Sequence, residues 1–382
     1  MKLLLALLVS LAGAGHIEAQ RHKPGTIIIG TPEGKLLQSI AQENDPATKL
    51  PLLEQFASEF PKHAASGWVA SQAQAAYIKT GGFDKATQAG EKLLAADAED
   101  IDAAYGNLKA SEGKKDRAGI LKWSAETSKI ARRAVEAPKP ADASEQEAWT
   151  QAVDFARQVD TYTEYAVYAL ALQATEPPVI MEAVEALEAR NPQSQYLVQL
   201  LGKYAAAARQ GNAMPRAITL GERAYARNQF DEDMLLAMAD SYMQRNKEPD
   251  KVLLYATKTI DLLAAKPKPE GMADADWDKK KVSVTGLANW MAGVTYSGQE
   301  KYAQADKSLR AALPAVKDND QLRGGALFHL GLVNYKMGRT SKNKTQIADA
   351  VKFSEQAAAM KGPYQAQSAK NVTVIKKEFA LK

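Results

Sequence analysis

Two stretches far apart in this chain share one spacing of large and small residues. In AYIKTGGFDKA (Ala76–Ala86) the ring of Tyr77 is followed six places on by Phe83 and nine places on by Ala86. In TYSGQEKYAQA (Thr295–Ala305) the same intervals separate Tyr296, Tyr302 and Ala305. A ring at the first place wedges between neighbouring helices, and a small residue at the last lets two helices approach closely. Upstream, Trp68, Ala70, Ala73 and Tyr77 recur at helical spacing; Gly81-Gly82 breaks the pattern, and Phe83, Ala86 and Leu93 resume it. A helix, a glycine turn and a second helix, repeated at distant positions, predict a repeat architecture in which each unit buries its apolar face against the next.

Further copies follow the same layout. Gly293 precedes Tyr296, and the next pass carries Leu327, Leu330-Gly331, Tyr335 and Gly338, so that Val284–Gly338 spans most of two units. These residues resemble the tetratricopeptide-repeat family, whose helix–turn–helix units are about 34 residues long. The resemblance runs over most of Asp45–Gly362, with Tyr77, Gly81, Phe83, Ala86, Gly293, Tyr296, Tyr302, Ala305, Gly331 and Gly338 at the repeat positions. It departs where the family's bulky residue near the start of each first helix is replaced by Ala70, Asn289 and Leu327. In the last unit Asn334 holds the ring place, with Tyr335 one step beyond. The resemblance implies an all-α fold, an α-solenoid closed by a lysine-bearing capping helix over Gln365–Lys382.

It also implies where a partner would bind, because in that family the first helices of successive units line a concave groove. By register those positions are Trp290, Val294, Phe328, Leu332, Tyr335 and Lys336, an aromatic-lined channel with a cation at its edge. Such a groove suits an extended or helical peptide with apolar anchors. Equally open is the reading in which Trp290 and Phe328 pack between helices as ordinary core. The family's carboxylate-clamping variant needs Lys, Asn and Arg at several of these places, which here hold mostly Trp, Val, Phe and Leu.

Organisation along the chain follows. Residues 1–19 read as a signal peptide: Lys2, the apolar run LLLALLVSLAGAG, and Ala19 at a plausible cleavage point. The run is shorter than the roughly 20 residues a membrane span needs. This predicts export to the periplasm or cell exterior and no transmembrane segment in the mature chain. Residues 20–44 read as an extended arm, with Thr26–Ile29 as a candidate edge strand, followed by a first helix. Residues 45–137 hold N-terminal repeats, with Pro51 expected in a first helical turn. Residues 138–192 hold a proline-broken linker and a degenerate helical region, and 193–382 hold the C-terminal repeats and cap. KPKPEGMADADWDKK (Lys266–Lys280) reads as a long charged loop.

The chain's 382 residues carry a formal charge of only +4, spread over interleaved signs, which argues for solvated helix faces and against nucleic acid. With no cysteine there is no disulfide, lipidation site or thiolate metal site. No catalytic motif, cofactor fingerprint or metal-ligand set emerges: His63 and His329 lack a partner at metal-binding spacing, and no phosphate-cradling glycine loop occurs. Asp274, Asp276 and Asp278 alternate as in a calcium loop, but Lys279 and Thr285 occupy the places that need glycine and glutamate. The function expected is a non-catalytic scaffold of the cell envelope holding a protein or peptide partner. The alternative is an accessory protein for envelope polymers, stacking sugar rings on Tyr162, Tyr165 and Tyr168. A hydrolase would need convergent carboxylates in a closed pocket.

Overall fold

The computed structural model describes residues 21–381 apart from residue 29. The signal peptide expected over 1–19 lies outside the described residues. Among them are seventeen α-helices and no strand. Thr26 to Ile28 of the expected edge strand are irregular, and residue 29 lies outside the description.

The chain divides into two compact units, Met1–Leu200 and Leu201–Lys382. The first contains α1 (Pro32–Gln42), α2 (Pro46–Glu59), α3 (Ser66–Thr80), α4 (Phe83–Ala96), α5 (Ile101–Lys114), α6 (Arg117–Glu136), α7 (Gln146–Gln173) and α8 (Pro177–Arg190). The division falls inside α9 (Leu197–Gln210). The second unit continues with α10 (Met214–Ala226), α11 (Glu232–Gln244), α12 (Pro249–Ala265), α13 (Asp274–Gly298), α14 (Tyr302–Val316), α15 (Asp320–Ser341), α16 (Lys344–Ala358) and α17 (Gln365–Glu378).

Short turns between consecutive helices make antiparallel pairs, and within each unit the first helices of successive pairs also touch. In the first unit α3 meets α5 and α5 meets α7; in the second α11, α13, α15 and α17 form a similar series. This is helix pairing of the tetratricopeptide type. Each pair carries a local core: Leu37, Ile40, Phe56 and Trp68 in one, Leu108, Ile120 and Trp123 in another, Leu309, Leu327 and Leu330 in a third.

Local sequence explains the helix boundaries. Asp45, Asp100, Asp116, Asp231, Asn319 and Asn343 each accept a backbone N–H at a helix start, satisfying donors the helix leaves free. Gly81 closes α3 at φ +82°, a left-handed conformation that a side chain disfavours. Where α13 crosses α14, a Cβ on Gly286 would stand 2.0 Å from that of Ala315, so only glycine permits this approach.

Three expectations need correction. Pro51 sits inside α2, well past its first turn, where its missing N–H removes the bond that Ala47 would otherwise accept. The loop expected to run to Lys280 ends at Asp274, because Trp277 is buried against Leu263 and Val284 and draws the preceding aspartates into a helical first turn. Buried Glu232 fixes this junction, accepting Lys266 Nζ at 2.6 Å and Lys280 Nζ at 2.7 Å. The turn read after Gly338, with RTSKNKTQ as an insertion, begins only past Ser341, since α15 runs on through Arg339, Thr340 and Ser341. The region that resists the repeat register, 138–192, contains a 28-residue helix, α7, twice the 14 residues of α5, the first helix of the preceding pair. A first helix of double length breaks the period without breaking the pairing.

The arm before α1 is tied down at its start. Arg21 Nε donates to Asp97 at 2.6 Å, and His22 Nε2 lies 2.6 Å from Asp100 Oδ2. Asp100 is fully buried, and its other oxygen accepts Ala103 N at 3.0 Å, so one carboxylate both caps α5 and holds the arm. Asp100→Ala is expected to cost about 1–2 kcal/mol from the lost cap, read as a lower melting temperature. It should also speed limited proteolysis at Lys23.

Candidate interaction surfaces

The six residues assigned to the groove lie on α13 and α15, consecutive first helices of the second unit. Trp290, Val294 and Phe328 are half-buried and pack on the core shared by α14, α15 and α16. The Trp290 indole donates to Leu322 O at 2.9 Å across to α15. The Phe328 ring stacks on Tyr364, with centroids 4.9 Å apart and planes 26° apart. Tyr364 stands at the N-terminal edge of α17, close to Trp290 over the backbone of Gly325. His329 completes this aromatic group, edge-on to Phe328 at 5.2 Å, with Nδ1 3.0 Å from Ser297 Oγ. Burial pushes its imidazole down to about 4, so it is neutral near pH 7.

Tyr335 belongs to a different cluster. It packs with Ile347, Ala350 and Ile375, meets Phe379 edge-on at 6.5 Å, and donates its hydroxyl to Glu378. Hydrogen bonding to that carboxylate, together with burial, raises its pKa. The structure therefore brings Trp290, Val294 and Phe328 together and places Tyr335 against the final helix. Leu332 and Lys336 lie between on α15, half-buried. At the family's ring place, fully buried Asn334 donates to Asp306 Oδ1 at 2.6 Å and to Leu330 O at 2.9 Å, joining α15 to α14 by hydrogen bonds instead of a wedge.

Sequence reading missed Tyr364, which follows Gly362-Pro363 beyond the last repeat and therefore outside any register. In the sequence His329 shows only as a packed or surface helical histidine.

The tyrosines named for sugar stacking face one another. Tyr105, Tyr162, Tyr165, Tyr168 and Tyr196 form a ladder with centroids 5.1–6.3 Å apart between successive rings. Tyr168 is 7% exposed, and the Tyr162 hydroxyl is held by Glu112 and Lys109. Rings already packed against each other, Tyr168 on Tyr196 stacked and the rest tilted or edge-on, have little free face for a sugar.

Among the described residues no group of three or more His, Asp or Glu side chains is placed to hold a metal ion. None of their helices is long and apolar enough to cross a membrane. No family model matches this chain, and no curated protein matches it. Among solved structures, the crystal structure of the P58(IPK) TPR domain is similar, at 12% identity and a TM-score of 0.28, covering 92% of this chain and 99% of that one. The fold described here rests on the helix pairing within each unit.

Proposed function

We propose that this chain is a non-catalytic interaction scaffold of the cell envelope. The leader read in residues 1–19 would export it, and a partner peptide or protein would lie on the face formed by first helices of successive pairs. The observation that supports this reading is the unbroken contact of α11, α13, α15 and α17, which sets their side chains in neighbouring rows. Trp290 and Phe328 are held by packing within that face, leaving Leu332 and Lys336 as the side chains best placed to meet a partner. Recognition would then combine burial of a partner's apolar side chain with a cation at its edge.

A photo-crosslinking residue at position 332 or 336 is expected to capture the same partner band from envelope extract. The same crosslinker at exposed Glu126, on α6, should not capture it. Leu332→Glu combined with Lys336→Glu should abolish recovery while leaving the circular dichroism spectrum near wild type. Equal capture from positions 126 and 336, or unchanged recovery by the double variant, would sink the reading.

A further inference from the structure

A second feature of the first unit is independent of that face. Between α6 and α8, over Val167 of α7, lies a cavity of about 550 Å³. That is within the roughly 300–1,000 Å³ typical of small-molecule sites. Leu121 and Ala125 of α6 and Ala186 and Ala189 of α8 make its apolar wall, and Arg190 lines its end.

The polar groups around Arg190 are already committed elsewhere. Asp160 accepts Ser128 through Oδ1 and Arg132 Nε through Oδ2, the latter at 3.0 Å. Glu164 Oε1 accepts Asn191 Nδ2 at 2.7 Å. Arg132 Nη1 donates to Arg190 O at 3.2 Å. The side chain of Arg190 is left over: both Nε and Nη2 are buried with no hydrogen-bond partner. These two nitrogens are adjacent donors along one edge of the guanidinium, the arrangement that takes a planar oxyanion two-pronged. A buried donor without an acceptor is costly, more so when it carries charge. Burial accordingly lowers the Arg190 pKa, opposed by Glu164 and Asp160. The same side chain lines the cavity, and binding there requires its terminal torsions to turn Nε and Nη2, buried in this conformation, toward the entering acceptor.

We propose that this cavity binds a small organic anion, its apolar body against Leu121, Ala125, Val167 and Ala189 and its carboxylate or phosphate group on the free edge of Arg190. Lys129, Arg132 and Arg133 of α6 line the same cavity, with Glu136 the one carboxylate among the lining side chains. No bond is made or broken; the site holds and orients its ligand.

Calorimetric titration of the protein at low salt with hexanoate, hexyl phosphate, inorganic phosphate and hexanol tests this. At least one of the two amphiphilic anions is expected to bind saturably, about ten-fold or more tighter than hexanol or inorganic phosphate. Whichever binds tighter identifies the head group as carboxylate or phosphate. Arg190→Met, which keeps the apolar stem, should weaken that binding about ten-fold or more, the loss of a hydrogen bond to a charged group. Its circular dichroism should stay that of wild type. Ala125→Phe, which fills the cavity and leaves Arg190 in place, should weaken it as well, so the proposal does not depend on one variant folding. It is overturned if neither amphiphile binds, which would leave water as the occupant. Inorganic phosphate binding as tightly as hexyl phosphate, or binding unchanged in both variants, would also overturn it.

Discussion

Alanine at both Trp290 and Phe328 is expected to destabilise the second unit by on the order of 4 kcal/mol, shifting its thermal midpoint down by roughly 10 °C. The reason is geometric. Trp290 spans from α13 to the first turn of α15 through its indole hydrogen bond, and Phe328 is clamped beneath Tyr364 at the start of α17. Removing both rings opens a void where three first helices meet and leaves the Tyr364 face unstacked. Because Trp290 and Tyr364, the ring on which Phe328 stacks, both border Gly325, the two losses should not add: the double variant should cost less than the sum of the singles. Thermal unfolding followed by circular dichroism, with both single variants alongside, checks this. A double variant that melts like wild type would mean the rings are idle in the fold and free for a ligand.

The second large effect concerns acid. His329 is held neutral by burial, with a folded-state value near 4 against an ordinary value of 6.5. A group whose folded value is depressed contributes stability that is fully present above its unfolded value and lost as pH falls toward its folded one. The window is therefore pH 6.5 down to 4. The loss across it is about 3 kcal/mol, since a tenfold change in proton affinity is worth about 1.4 kcal/mol. His329→Gln can keep the contact with Ser297 and does not titrate. Its melting temperature is expected to fall less than that of wild type between pH 7 and pH 4. Asp231 of the same unit works in the opposite direction, because burial pushes its carboxyl up to about 6 and acid then favours the folded state. The comparison between variant and wild type isolates the histidine. Parallel melting curves across the window would remove His329 as the cause.

Much of this architecture was legible in the sequence because its determinants are local. The ring at Tyr77, the turn at Gly81 and the small residue at Ala86 act within one helix pair, and the aspartates that start helices act within one turn. Where a distant contact decides the outcome, the pattern misleads. The aspartates before Trp277 look like a solvated loop until the burial of that indole turns them into the start of α13. The candidate surface was legible only in part for the same reason. Helical periodicity places Phe328, Leu332 and Tyr335 on one stripe of α15, but it cannot show that α17 folds back and takes Tyr335 for its own core. Arg190 illustrates the remaining limit. A lone arginine at a helix end is ordinary in a sequence, and only the prior commitments of Asp160 and Glu164 make its free edge visible.

The many small cores, each confined to one or two helix pairs, have a consequence for how this chain tolerates change. Damage in one pair is felt mainly by its neighbours, so injury does not spread through a common interior. Variants that cripple the arm and α5, such as those at Asp100, should leave the recognition proposed at Leu332 and Lys336 measurable. The loops over 138–145 and 266–273, which lie between cores, are natural ports for inserting a tag or a cleavage site. A molecule assembled this way can be dissected genetically one helix pair at a time, with the rest serving as an internal control.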